Sequence, residues 1–263
     1  MNKYKICVVT GSRADYGLLR PLIKKIAGDD DLELRLLVTG MHLSENFGYT
    51  CAEIEADGYA IDARIEMLLS SDTETGMAKS TGLGIISFAD YLSYRRPHML
   101  IALGDRFEMF SAVTAAAMLH IPIAHIYGGD TTEGAIDEFL RHSMTKMSSL
   151  HFASNEMSAR RIIQMGESPD HVYNVGSLHV ECIMGAELLS HGELAYELGI
   201  DLEAPYALVT YHPATLSGIA AHASRAAGGS GGGSSGSGSG GDSSGSGSGG
   251  GGSGGGSREI LWH

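Results

Sequence analysis

The chain is poor in cysteine and in positive charge. Its 18 lysines and arginines face 31 aspartates and glutamates, which gives a formal net charge of −13. Nucleic acids and anionic membranes bind basic surfaces, so we expect neither as a partner. A phosphorylated small molecule stays compatible with this balance, because a few local cations are enough to bind it.

The three cysteines, Cys7, Cys51 and Cys182, are widely spaced and form no C-x-x-C motif. This spacing argues against a disulfide framework and against a zinc site, and it favours a reducing cytoplasm. Apolar runs long enough to span a bilayer are missing as well. The start of the chain has only a short apolar run, which predicts a first strand rather than a signal peptide.

Residues 228–257 consist of glycine, serine and the single Asp242. Such a segment has no apolar side chains to offset the entropy of ordering it, and is typical of a linker or of disorder. We therefore predict a globular domain over residues 1–216, followed by a low-complexity tail over residues 217–263.

Apolar runs alternate with helical patterns along the globular part. The predicted strands cover residues 4–10, 32–39, 59–65, 98–103, 121–126, 150–153, 171–175 and 206–211. Gly11–Gly17 is predicted to be the turn before the first helix. About seven alternations of strand and helix predict an α/β fold, a Rossmann-like doubly wound parallel sheet. Ligands of such sheets bind at the carboxyl ends of the strands.

Acidic residues follow two of the predicted strands. Asp105 follows the strand at 98–103, and Asp130 follows the strand at 121–126. Because parallel strands end at one edge of a sheet, we expect both carboxylates near one cleft, where paired acids take separate acid and base roles. The alternative for Asp105 is a helix N-cap, where aspartate is favoured. Both interpretations stay open.

The helix predicted over residues 134–147 begins with further acids. Glu133 and Asp137 are four residues apart and share one face, whereas Glu138 turns away. Acids in a first turn are also ordinary partners of the helix dipole. Arg141, one turn later, is interpreted as an ordinary helix cation.

Arg13 and His212 are two further candidates. Arg13 lies near the start of the first helix, where backbone donors favour an anion, although a solvated arginine is the simpler interpretation. The glycine spacing there is neither that of a dinucleotide-binding turn nor that of a P-loop. His212 ends the last predicted strand before Pro213 and is a candidate ligand or acid, although a lone histidine is more often structural.

Several longer motifs occur in a fixed order. They are GSRADYG (11–17), TGMHLS (39–44), GDR (104–106), HIYGGDTTEGAIDE (125–138), RHSMTKMSSLHFASNE (141–156), NVGS (174–177) and YHPAT (211–215). Together they resemble the hydrolysing UDP-N-acetylglucosamine 2-epimerases of sialic-acid synthesis. Related enzymes of legionaminic-acid synthesis, which act on a UDP-diacetamido sugar, share the pattern.

The resemblance implies a GT-B fold, in which two Rossmann-like domains hold the substrate between them. It also implies a reaction without metal or nicotinamide cofactor. UDP is eliminated across C1 and C2 of the sugar, and water adds to the resulting glycal to release N-acetylmannosamine. Relatives of this kind tend to form dimers or tetramers, so a homo-oligomer is expected.

The resemblance assigns roles to single residues. It implies that Asp105 and Asp137 are catalytic carboxylates. Contacts to the nucleotide sugar are expected from three residues, Arg13, Arg106 and His212.

The chain departs from the family pattern at two places. Many relatives carry glutamate where this chain has Asp130, so Asp130 is the preferred third carboxylate and Glu133 the second choice. The family also continues past the HP motif into a domain that binds UDP, whereas a glycine- and serine-rich tract stands there in this chain. We therefore expect weak UDP-sugar binding and slow turnover.

Two alternatives come from other functional classes. The chain could be half of a GT-B glycosyltransferase, which would transfer the sugar to an acceptor without a glycal. It could also be a folded domain without catalytic activity.

Overall fold

Seven parallel strands form one sheet in the computed structural model, which describes residues 3–71, 73–132 and 136–209. Their spatial order is β3-β2-β1-β4-β5-β6-β7, so the direction of winding reverses between β1 and β4. The predicted doubly wound α/β sheet is confirmed. The strands are β1 (Tyr4–Thr10), β2 (Leu32–Thr39), β3 (Ala63–Ile65), β4 (Met99–Leu103), β5 (Ile123–Ile126), β6 (Leu150–Ala153) and β7 (Val172–Asn174).

Helices connect the strands and cover the sheet. Those of the described residues are α1 (Arg13–Ala27), α2 (Cys51–Ala56), α3 (Glu74–Tyr94), α4 (Phe107–Met118), α5 (Asp137–Met147), α6 (Glu156–Gln164), α7 (Leu178–Gly185) and α8 (His191–Leu198). None of them combines the length and the apolar character that crossing a bilayer requires.

Both faces of the sheet are buried. On β1, Cys7 and Val9 belong to a core that includes residues of α3 and α4, whereas Ile6 and Val8 pack with α1 and α2. This division follows from the two-residue period of a strand. Helices on both faces direct ligands to the edge where the strands end.

The first helix begins earlier than predicted. α1 starts at Arg13, inside the predicted turn Gly11–Gly17. The cause is Ser12, whose hydroxyl accepts a hydrogen bond from the backbone N–H of Asp15 at 3.3 Å and caps the helix. The short connection keeps Asp15 close to the end of β1.

The last predicted strand, residues 206–211, is wrong over its described part. Residues 206–209 form no strand, and Leu208 and Val209 are 92% and 83% exposed. A strand needs a hydrogen-bonding neighbour, and none of the described strands pairs with this segment. Apolar composition alone was therefore insufficient, and the rest of the predicted strand lies outside the described residues.

α8 is absent from the predicted helices, although its sequence carries a signal. The Ser190 hydroxyl accepts from the backbone N–H of Glu193, and the Glu193 carboxylate accepts from the backbone N–H of Ser190. This reciprocal pair is a capping box, which the S-x-x-E spacing encodes.

Two buried histidines join the loops at the strand ends. His125 on β5 donates from Nε2 to the carbonyl oxygen of Gly104 at 2.7 Å. The His42 ring lies between two hydroxyls, 3.0 Å from Thr10 Oγ1 and 2.7 Å from Thr50 Oγ1. Burial lowers the pKa of each histidine to about 4. Both rings are therefore neutral at pH 7.

Two glycines of α3 give a matched test of packing. A Cβ on Gly84 would lie 2.7 Å from Met67 Cε and 2.9 Å from Ser111 Cβ, whereas a Cβ on Gly82 would meet no atom within 4 Å. We predict that Gly82→Ala raises the free energy of unfolding by about 0.5–1 kcal/mol, because alanine is the better helix former. Gly84→Ala should lower it by about 1–3 kcal/mol through overpacking. Urea denaturation measures both, and equal stability of the two variants would contradict this packing.

Acidification should destabilise the fold through His125. An unfolded histidine has a pKa of about 6.5, whereas burial lowers the folded pKa to about 4. The unfolded state therefore binds more protons between these values, and the free energy of unfolding should fall as the pH is lowered from about 6.5 towards 4. Urea denaturation across this range measures the fall. The fall in the free energy of unfolding should be smaller in His125→Gln and unchanged in His191→Gln, since His191 is 58% exposed. An equal dependence on pH in the two variants would refute the argument.

Candidate active site

Asp105 lies directly after β4, behind Gly104, whose φ of +78° favours glycine. Its carboxylate accepts a hydrogen bond from Nη2 of Arg141 on α5. The side chains of Asp105 and Arg141 are 19% and 9% exposed, so the ion pair is largely shielded from water. The N-cap alternative for Asp105 is wrong, because Arg106 occupies the cap position of α4 and makes no side-chain capping bond.

Arg141 is a member of this site and not the ordinary helix cation that its spacing indicated. Its Nη2 also donates to Thr132 Oγ1 at 3.1 Å, whereas Nε and Nη1 have no partner among the described residues. Burial lowers the pKa of Arg141, but arginine titrates so high that it stays charged. Sequence spacing could not reveal the pair, since Asp105 and Arg141 are 36 residues apart.

A second predicted carboxylate, Asp137, lies within electrostatic reach of Arg106. Asp137 is the first residue of α5 and is partly buried. Burial raises its pKa, and the charge of Arg106 opposes that rise. The loop after β4 and the start of α5 thus bring together three predicted residues, Asp105, Arg106 and Asp137.

Two acids of this region are absent from the predicted set. Glu108 is fully buried and accepts hydrogen bonds from Arg106 Nε at 3.2 Å and Nη2 at 2.7 Å. Asp15 has a buried Oδ2 without a partner among the described residues. Burial raises the pKa of Asp15, and the charge of Arg106 lowers it. The sequence feature that could have identified Glu108 is an acid in an otherwise largely apolar helix, two residues after an arginine.

Asp130 lies after β5 and faces other partners. Its Oδ1 accepts hydrogen bonds from the Ser154 hydroxyl at 2.8 Å and from the Ser158 hydroxyl on α6. Neither of these described bonds reaches Asp105 or Asp137. Asp130 is therefore fixed against β6 and α6, at the same edge of the sheet as Asp105.

The remaining predicted residues lie at the surface or outside the described chain. Arg13 pairs with Glu53 at 3.1 Å, and its side chain is 73% exposed. This contact is the surface ion pair that the simpler interpretation anticipates. Glu133 and His212 fall outside the described residues.

The arrangement suits proton transfer beside developing charge. Two carboxylates in different surroundings can act as acid and base, and guanidinium groups can stabilise an anion. Within the described ranges, no three His, Cys, Asp or Glu side chains group closely enough to hold a metal ion. We call the following residues the strand-end cluster: Asp15, Asp105, Arg106, Glu108, Asp137 and Arg141.

Solved structures share this fold. A UDP-N-acetylglucosamine 2-epimerase from Listeria monocytogenes superimposes with a TM-score of 0.66 at 16% identity, covering 76% of this chain and 52% of that one. The Neisseria meningitidis UDP-GlcNAc 2-epimerase bound to UDP-GlcNAc gives a TM-score of 0.61 at 21% identity, covering 68% and 48%. At these identities the likeness shows the fold alone, and the expected relation to one half of a GT-B protein is confirmed.

Curated proteins show closer similarity in sequence. The GDP/UDP-N,N'-diacetylbacillosamine 2-epimerase (hydrolyzing) of Campylobacter jejuni is 42% identical, covering 82% of this chain and 56% of the relative. The polysialic acid biosynthesis protein P7 of Escherichia coli is 40% identical, covering 81% and 54%. The chain thus spans about half the length of the curated relatives it matches.

The family model described as UDP-N-acetylglucosamine 2-epimerase matches residues 24–227. That range contains most of the chain and all of the strand-end cluster except Asp15. The resemblance of the motifs is confirmed, and the chain belongs to the UDP-N-acetylglucosamine 2-epimerase family.

Proposed function

We propose that the protein is a hydrolysing UDP-sugar 2-epimerase. A base removes the proton from C2, the C2–H electrons form the C1=C2 bond, and the C1–O bond breaks as UDP leaves with its electron pair. Water then adds to the glycal: the C1=C2 electrons take a proton from an acid on the other face of C2, the water oxygen bonds to C1, and the proton that this water loses passes to a carboxylate. The proposal is carried by one observation in a member of this family: of two partly buried carboxylates, Asp105 forms an ion pair with Arg141, and Asp137 lies within electrostatic reach of Arg106.

Different surroundings support different roles for the two acids. Asp105 forms a direct ion pair with Arg141, so its carboxylate is the group placed to act as a base. Burial raises the pKa of Asp137, which favours an acid that can return one. We therefore assign Asp105 to proton removal and Asp137 to proton return.

The other predicted residues keep supporting roles in the proposal. Asp130 remains the preferred third carboxylate, and Glu133 the second choice. The exposed guanidinium of Arg13 can turn from Glu53 to an anionic ligand, because a surface ion pair costs little to break. Arg106 and His212 are proposed contacts to the nucleotide sugar.

The sugar is proposed to be UDP-N-acetylglucosamine, giving N-acetylmannosamine for sialic-acid-type synthesis. A specific observation favours a second candidate, UDP-N,N'-diacetylbacillosamine of legionaminic-acid synthesis. The Campylobacter relative that carries this substrate in its name is 42% identical, whereas the Neisseria meningitidis UDP-N-acetylglucosamine 2-epimerase is 34% identical. Both sugars carry an acetamido group on C2, the carbon that loses and regains its proton, so the same cluster serves either.

The surrounding organisation is part of the same proposal. Residues 1–216 would form the N-terminal domain of a GT-B enzyme, and residues 217–263 would be a tail outside it. We further propose a cytoplasmic homo-oligomer that needs no metal or nicotinamide cofactor.

Substrate turnover tests the function directly. A version of the protein that continues to the length of its curated relatives should release UDP from one of the two sugars. In heavy water the sugar product should carry deuterium at C2. Chromatography of UDP and mass spectrometry of the sugar measure these outcomes. UDP release with transfer to an acceptor and no deuterium would favour a glycosyltransferase, and no UDP from either sugar would refute the proposal.

Substitution of the two acids tests their assignment. Asp105→Asn and Asp137→Asn should each lower kcat by about 100- to 10,000-fold, the range for loss of a general acid or base. Asp90→Asn, at an exposed position of α3, serves as the matched control and should keep full activity. Circular dichroism and urea denaturation verify folding. Normal kcat in a folded Asp105→Asn protein would remove Asp105 from the mechanism.

A further inference from the structure

Glu108 is a buried acid with no role in the proposed chemistry. It is the second residue of α4, its side chain is 0% exposed, and both its oxygens accept hydrogen bonds from Arg106. A fully buried carboxylate is costly unless it is paired and hydrogen-bonded. Its place at the strand ends therefore calls for an explanation beyond helix formation.

Two glycine loops make room for the Glu108 side chain. A Cβ on Gly40 would lie 2.8 Å from both Cγ and Oε1 of Glu108, and a Cβ on Gly11 would lie 3.4 Å from its Cβ. Gly40 also has φ +60°, a conformation that favours glycine. The loops after β1 and β2 thus pack against this one carboxylate.

The two members of the Glu108–Arg106 pair differ in exposure. Glu108 is completely covered, whereas the Arg106 side chain is 31% exposed. Two parallel hydrogen bonds fix one edge of the guanidinium plane, a geometry that restricts rotation as well as distance. The charge of Arg106 acts on Asp15 and on Asp137, which lie on two other elements.

A buried ion pair of this kind is weak evidence for added stability. Buried ion pairs are often no more stabilising than well-packed apolar side chains of similar volume. We propose that Glu108 is a positioning residue, whose buried carboxylate fixes the Arg106 guanidinium at the reacting end of the site, within electrostatic reach of Asp137. Its catalytic consequence rests on the proposed function, whereas its effect on Asp137 can be measured without turnover.

The sign of one titration distinguishes positioning from simple charge removal. Glu108→Gln keeps the shape but removes a negative charge, and charge removal alone would lower the pKa of Asp137. If Glu108 holds Arg106 in place, the released guanidinium moves to solvent and the pKa of Asp137 rises instead. We expect the pKa of Asp137 in Glu108→Gln to rise by at least half of its rise in Arg106→Gln. Carbon-13 NMR titration of the labelled chain measures both values.

A double-mutant cycle gives the second readout. Arg106→Gln leaves the buried Glu108 without its partner, so adding Glu108→Gln should restore part of the lost stability in urea denaturation. In turnover, Glu108→Gln should lower kcat/KM at least 10-fold with Arg106 present and leave it unchanged in the Arg106→Gln background. A loss that persists in that background would mean that Glu108 only fills space, which overturns the proposal.

Other outcomes of these experiments also decide the role of Glu108. A lowered or unchanged pKa of Asp137 in a folded Glu108→Gln protein overturns positioning. If that variant does not fold, Glu108→Asp replaces it, because aspartate retains the charge but is one methylene shorter. Glu108→Asp should also raise the pKa of Asp137 by drawing Arg106 inward. No rise would overturn the proposal. Absence of UDP release from the wild-type protein would count against the proposed function, while the titration still decides the role of Glu108.

Discussion

The ion pair between Asp105 and Arg141 ties the end of β4 to the helix α5, which carries the second proposed acid, Asp137. Both side chains are largely buried, so either one alone would be costly in free energy. His125 anchors the turn at Gly104 beside the pair, and Thr132 Oγ1 accepts a second hydrogen bond from the same Nη2. Because Arg141 and Asp137 lie on the same helix, the pair also places Asp137 near the end of β4.

Charge balance within the strand-end cluster indicates which part of a nucleotide sugar it can serve. The cluster contains four carboxylates and two guanidinium groups, so it has no excess of positive charge to offer a diphosphate. It is suited instead to the sugar, where a proton leaves and returns. In the proposed mechanism the diphosphate must therefore meet cations elsewhere, which agrees with separate assignments for Arg13 and His212.

The sequence was sufficient for the fold and for part of the site. Strands β1 and β2 have the predicted bounds, because each ends in a buried run of apolar residues that a turn follows. Asp105 and Asp137 could be singled out because they follow a strand or open a helix. Arg141 and Glu108 could not, since spacing along one helix cannot show which distant group a side chain will meet. The segment at 206–209 is the opposite case, with a strand-like composition but no neighbouring strand among the described residues.

Burial at this edge has two sources that act together. Glycines at positions 11 and 40 let the loops approach closely, and Gly104 takes the positive φ of the turn after β4. Neutral histidines join those loops without placing further positive charge inside. Close approach excludes water, and exclusion of water is what raises the pKa of Asp15 and Asp137. The proton affinity of the acids is therefore a property of the packed loops as much as of the acids themselves. A change at Gly40 would act on the chemistry through Glu108 and Arg106, although glycine has no side chain to take part in it.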